Sequence, residues 1–137
     1  MAVWQKEIAL KPFTRGYHLI DDTIQEAIPS LPDKGILHLF VKHTSAALTI
    51  NENADPSVRE DFESSLNHIV KENQSYYTHT YEGSDDMPAH IKSALIGSSV
   101  SIPITEGRLN LGTWQGIYFC EFRNQASSRK VVVTIYS

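Results

Sequence analysis

Gly35-Ile36-Leu37-His38-Leu39-Phe40-Val41-Lys42-His43 is the stretch on which the fold turns. Counted in twos, Leu37, Leu39 and Val41 share one side with His43, and Ile36, His38 and Phe40 share the other. Both sides are mostly apolar, the pattern of a central strand covered on both faces. His43 then stands at the end of a buried strand.

Working outward, Trp4, Ile8 and Leu10 lie on one side of a first strand from Val3, with Lys6 as the exception. Asp21 or Asp22 can cap a helix whose apolar positions are Ile20, Ile24, Ala27, Ile28 and Leu31, with Pro29 and Pro32 ending it. Ala47 to Ile50 reads as a short strand. Asp55-Pro56 is a helix start, because the carboxylate accepts a backbone N–H and proline is preorganised at the first helical position. Val58, Phe62, Leu66 and Ile69 mark one face of that helix. Tyr76 to Tyr81 alternates like a strand, and a further helix runs from Asp85-Asp86 to a stop at Gly97. The remainder is strand-rich: Val100/Ile102/Ile104, a turn at Glu106-Gly107, Leu109/Leu111, Ile117/Phe119/Glu121, and Val131 to Tyr136. Three helices among strands joined by hairpin-like turns imply an α+β fold, a largely antiparallel sheet with the helices packed on it.

The 137 residues, 41% of them hydrophobic, fit a single domain spanning 1–137 with one core. A formal charge of −4 with scattered basic residues lacks the electrostatic footprint of a nucleic-acid binder. The first residues lack a signal-peptide layout and no apolar run is long enough to span a bilayer, so no membrane association and a cytoplasmic location are expected. Cys120 has no second cysteine to pair with. Between Phe119 and Glu121 it reads as packing rather than as a nucleophile, for want of an activating cation.

Three histidines stand at or next to element ends: His43 after a strand, His79 in the tyrosine-rich strand and His90 early in a helix. Imidazole suits zinc-like ions, and three protein ligands with one open position describe a catalytic site. Their spacing is not compact, so a structural role stands beside that reading; His18, His38 and His68 read as ordinary surface or packed residues. Asp55, Asp85 and Asp86 precede helices and are most simply caps, although Asp86, four residues before His90, is also placed to orient an imidazole or bind an ion. Glu121, among apolar strand residues, needs a partner such as Arg123 or Arg108, because an unpaired buried carboxylate is costly. His43-Thr44-Ser45, Asn51-Glu52-Asn53 and Gly112-Thr113-Trp114-Gln115-Gly116 are dense in hydrogen-bonding side chains, and ordinary turns explain them equally well. There is no phosphate-binding loop, dinucleotide fingerprint or nucleophile elbow.

The segments His43-Thr44-Ser45-Ala46, Asp85-Asp86-Met87-Pro88-Ala89-His90 and Gly112-Thr113-Trp114-Gln115-Gly116, in this order, resemble the YjbQ-like family, also called the secondary thiamine-phosphate synthase family, over essentially the whole chain. The resemblance implies an α+β homotrimer with a metal in a polar pocket that includes His43, His79 and His90. It also implies a weak thiamine-phosphate synthase activity, which joins a hydroxymethylpyrimidine diphosphate to a thiazole phosphate and releases diphosphate. On that reading the three histidines hold a divalent ion, zinc by ligand type or magnesium by reaction type. Asp86 bridges or orients, Arg108 takes the phosphate, and Thr44, Ser45, Asn51 and Gln115 bond the substrate. Glu121 joins Asp86 and Arg108 as a candidate catalytic residue. Three other readings stay open: a metal-dependent hydrolase of a small phosphorylated metabolite, a trimeric metal- or metabolite-binding protein, and histidines that merely stabilise the trimer.

Overall fold

The computed structural model describes residues 2–137. Eight strands and three helices follow one another as β1 (Val3–Ala9), β2 (Gly16–Leu19), α1 (Asp21–Ala27), β3 (Lys34–Val41), β4 (Ala46–Glu52), α2 (Pro56–Ile69), α3 (Asp86–Ile96), β5 (Ser99–Thr105), β6 (Arg108–Leu109), β7 (Gln115–Glu121) and β8 (Lys130–Tyr136). The α+β class holds, but the strands form two sheets where one was expected. One sheet has the order β1-β8-β3-β5-β6 and the other β2-β7-β4. Every pairing is antiparallel.

The alternation read in β3 explains the layering. Leu37, Leu39 and Val41, with Ile102, Ile104, Val131, Val133 and Ile135 of neighbouring strands, meet Ala46, Leu48, Ile117 and Phe119 of the smaller sheet in one core. The smaller sheet has a second apolar face, where Tyr17, Ala47, Tyr118 and Cys120 pack with Ala89 of α3 and against Phe62 and Leu66 of α2. The result is three layers: large sheet, small sheet, then α2 and α3. The other face of β3 departs from expectation, since Ile36 and Phe40 are 44% and 42% exposed on this chain.

Local signals account for most boundaries. Asp55 caps α2 through its carboxylate to the Ser57 N–H, with Pro56 opening the first turn. Gly97, at φ 111°, ends α3 in a conformation that disfavours side chains. Glu106 and Gly107, at φ 53° and 74°, form the two-residue turn between paired Thr105 and Arg108. Two expected features differ. Residues 76–81 form no strand: Tyr76 and Tyr81 lie exposed in turns, and the Tyr77 hydroxyl donates to the Lys71 carbonyl. Asp21 does not cap α1; its carboxylate accepts the Ile117 N–H and ties that helix to β7.

Gly35 is the second residue of β3, where a Cβ would lie 2.2 Å from the Tyr136 backbone carbonyl oxygen. Gly35→Ala must therefore push apart the β3–β8 pairing. It is expected to destabilise the chain by about 2 kcal/mol or more, the range for overpacking a close contact, read as a lowered urea midpoint at unchanged slope.

Candidate metal centre

Three side chains able to ligate a metal converge where α3 begins. Asp86 is the first residue of α3, and His90 follows one turn later on the same face. His79 comes from the irregular loop before the helix. One ligand atom from each of His79, Asp86 and His90 lies within 4.8 Å of the other two. The His79 Nε2 is 2.6 Å from Asp86 Oδ2, and the His90 Nε2 is 3.2 Å from that same oxygen.

The ring of His90 is held from behind. Its Nδ1–H donates to the Thr44 carbonyl at 2.9 Å, so the neutral ring presents a lone pair at Nε2 to an oxygen that also carries lone pairs. Such a contact is satisfied by a proton on Nε2 or by a cation. Asp86 is 2% exposed, and its second oxygen, Oδ1, accepts from Arg123 Nη1 at 2.7 Å. Burial opposes its charge, but the His79 bond and the Arg123 guanidinium outweigh that and hold the carboxyl below the usual range. Arg123 in turn spans Asp85 through Nε at 2.9 Å and the Glu82 carbonyl through Nη2 at 3.0 Å. Asp85 is therefore not a helix cap: its Oδ2 accepts from Arg123 and from the Asn124 N–H.

The loop that carries His79 is fixed at several points. Glu72 accepts from the Ser84 hydroxyl at 2.8 Å and from Arg15 Nη1 at 3.2 Å, and the Tyr77 hydroxyl donates to the Lys71 carbonyl at 2.7 Å. Beneath it, Lys92 of α3 is 1% exposed and donates to Asn67 Oδ1, which also accepts from Arg15. Burial pushes the Lys92 ammonium below its ordinary value, with the nearby Arg15 charge acting in the same sense.

His43 is the exception among the expected ligands. It lines a cavity of about 370 Å³ together with His90, Thr44, Ser93 and Ser98. Its Nε2, however, accepts the Lys130 backbone N–H at 2.8 Å. The neutral ring then carries its hydrogen on Nδ1, so neither nitrogen offers a free lone pair, and His43 is not in the ligand cluster. Burial and then Arg129 lower its pKa, which favours the neutral ring.

Thr44 and Ser45 are also brought to this end. The Ser45 hydroxyl accepts from Arg129 Nη2 at 2.9 Å, and Arg129 grips Glu121 through Nε at 2.8 Å and Nη2 at 2.6 Å. The partner of Glu121 is thus Arg129, not the guanidinium of Arg123 or Arg108; Arg123 reaches Glu121 only through its backbone N–H. With Glu121 fully buried, this pair props the 43–45 turn and reaches no cavity-lining position. Cys120 is buried, which drives its thiol well above the ordinary range and leaves it inert packing.

Arg108, Asn51 and Gln115 lie elsewhere. Arg108 is exposed on the edge strand of the large sheet. Asn51 and Gln115 sit at the far end of the β4–β7 ladder, roughly 20 Å of strand from Thr44. There they close turns: Asn51 Oδ1 accepts the Glu52 N–H and Gln115 Oε1 the Gly112 N–H. Sequence reasoning missed Arg123 as the Asp86 anchor and Arg129 as the Glu121 partner. The available signal was Glu121 itself, a buried carboxylate with two arginines within the next eight residues.

The comparisons with known proteins agree with this architecture. Residues 6–137 match the family model described as UPF0047 protein YjbQ-like. The UPF0047 protein YjbQ of Salmonella typhimurium is 48% identical over 134 residues, covering 96% of each chain. YugU of Bacillus subtilis is 40% identical over 113 residues, covering 80% of this chain and 83% of its own. Among solved structures, a YjbQ/UPF0047 family protein from Clostridium acetobutylicum superposes with a TM-score of 0.82 at 39% identity, covering 96% of this chain and 99% of that one. A YbjQ-like protein of unknown function from Sulfolobus solfataricus gives 0.83 at 25% identity, covering 98% and 96%. No helix among the described residues is long and apolar enough to cross a membrane. The chain belongs to the YjbQ-like UPF0047 family.

Proposed function

We propose that the protein is a divalent-metal enzyme acting on a small metabolite, with His79, Asp86 and His90 as the protein ligands. The observation that carries this reading is the convergence of two Nε2 atoms on one oxygen of a buried carboxylate, with the His90 tautomer set from behind by the Thr44 carbonyl. Two imidazoles and a carboxylate suit zinc better than magnesium, which favours oxygen donors. What such an ion supplies when bound is Lewis acidity and an acidified water. The chain's own residues do the rest. Arg123 fixes the carboxylate, Thr44 fixes the His90 ring, and the cavity beside His90 admits the substrate.

Hydrolysis is the better supported reaction. No arginine or lysine lines the cavity beside His90, while Arg123 and Arg129 are engaged by carboxylates. A diphosphate leaving group would have only the metal to meet its charge. One feature supports the transfer reading of the family resemblance: a second cavity of about 110 Å³, lined in part by Tyr77, His79, Ser84 and Met87, on the His79 side of the cluster. Two cavities flanking one metal position suit two substrates. The exposed apolar residues Ile36, Phe40 and Tyr136 on the large sheet form a surface that an assembly such as the homotrimer expected from the resemblance would cover.

Small metabolite esters, carboxylic as well as phosphoric, offered to zinc-loaded protein with and without a thiazole phosphate acceptor, test both reactions. Turnover with water alone, lost on chelation and restored by zinc, is expected. Turnover that requires the acceptor supports transfer instead, and turnover indifferent to chelation contradicts the metal reading.

A further inference from the structure

We propose that His43 is a neutral hydrogen-bond donor to an oxygen of the ligand in the cavity beside His90, and that this ligand is a small oxygen-bearing metabolite presenting a single negative charge there. The inference rests on the metal reading of His79, Asp86 and His90. It departs from the simplest view of the three histidines, in which all of them hold the ion.

The hydrogen-bond geometry divides the histidines into two kinds. His90 gives its Nδ1–H to the Thr44 carbonyl and keeps Nε2 for the cluster. His43 does the reverse. Its Nε2 takes the Lys130 backbone N–H, which leaves Nδ1 as the hydrogen-bearing atom. Binding an ion through His43 would break that bond and leave the Lys130 N–H without its acceptor; donating to a ligand oxygen costs nothing in the framework. Both rings border the same cavity of about 370 Å³, so one small molecule can meet His43 while it faces the cluster. The rest of the lining is uncharged: Thr44 and Ser98 supply hydroxyls, the Ser93 hydroxyl already donates to the Ala46 carbonyl, and Ala94 and Gly97 complete the wall.

The charge balance selects the ligand class. Metal-ligating imidazoles are neutral, so a divalent ion beside the Asp86 carboxylate leaves one surplus positive charge. Lys42 and Lys130, which act on His43 from outside the cavity lining, share the Glu7 carboxylate, and the nearby arginines are neutralised. Arg123 is matched by Asp85 as well as Asp86, and Arg129 by the fully buried Glu121. A carboxylate meets that single charge; a phosphate ester or diphosphate brings charge that no side chain lining the cavity opposes.

The test uses the full chain loaded with zinc, with acetate as the singly charged probe and phenyl phosphate as the doubly charged one. Zinc affinity is measured by competition with a chromophoric chelator, and anion binding by calorimetry and by the ¹⁵N-edited resonance of the His43 ring. His43→Ala is expected to hold zinc within about threefold of the unsubstituted protein, while acetate binding weakens about tenfold. His43→Gln, which keeps an N–H donor, is expected to recover part of that loss. Acetate should move the His43 ring resonance and bind at least as tightly as phenyl phosphate. A tenfold or greater loss of zinc in His43→Ala, matching that of His90→Ala, would overturn the assignment of His43. Phenyl phosphate binding ten times more tightly than acetate would overturn the ligand class. Unsubstituted protein that takes up no zinc overturns the metal reading itself and this inference with it.

Discussion

Asp86→Asn is expected to lower zinc affinity by more than about 100-fold while leaving the fold intact. Substitutions of groups that merely orient a metal ligand typically cost 10–100-fold, and the proposed centre makes Asp86 a ligand in its own right. The asparagine keeps an oxygen for the Arg123 guanidinium, which also retains Asp85 and the Glu82 carbonyl, so the start of α3 remains anchored. What disappears is the negative charge that both Nε2 atoms approach. Competition with a chromophoric chelator measures the affinity, and far-ultraviolet circular dichroism checks that the helix persists. Zinc affinity within threefold of the unsubstituted protein would mean that Asp86 is only a structural partner of Arg123.

Arg129→Ala is expected to be the most destabilising of the substitutions considered, at about 3–5 kcal/mol, because it strands a fully buried carboxylate without its partner. For a chain of this size that corresponds to a fall in Tm of roughly 10 °C or more. The damage should spread to the site. Arg129 also holds the Ser45 hydroxyl, and the adjacent Thr44 carbonyl is what fixes the His90 ring. The double variant Glu121→Gln/Arg129→Met, which removes both charges, should recover most of the lost stability. A single variant that melts within 2 °C of the unsubstituted protein would show that water reaches Glu121 and that the pair does not support the turn.

The parts of the fold that were readable in the sequence are those written in local chemistry. The Asp55-Pro56 start, the Gly97 stop, the Glu106-Gly107 turn and the inward-facing set of β3 each depend on neighbours within a few residues, so the sequence carries them, whereas the exposure of Ile36 and Phe40 on the other face of β3 depends on what the rest of the fold leaves uncovered. The division into two sheets depends instead on which strands pair. β7 leaves β4 for no hairpin with β8, although β8 is the next strand in the chain. Periodicity does not encode that choice. The same limit governed the site. His90 and Asp86 were legible as a pair because one helical turn places them together. His79 was brought in by a loop whose tyrosines imitate a strand. His43 looked like a ligand by residue type, and only the position of the Lys130 N–H, set by the start of β8, shows which of its nitrogens is occupied. Arg108, Asn51 and Gln115 were assigned to the site through the family resemblance but sit on other parts of the two sheets, because an assignment by sequence segment does not imply nearness across a ladder.

The most direct test of the metal centre is a crystal soaked in zinc and measured on both sides of the zinc absorption edge. One anomalous peak per chain is expected, bonded to Nε2 of His79, Nε2 of His90 and Oδ2 of Asp86, with the His43 ring still accepting the Lys130 N–H. A peak bonded through His43, or no peak among these three residues, would contradict that assignment.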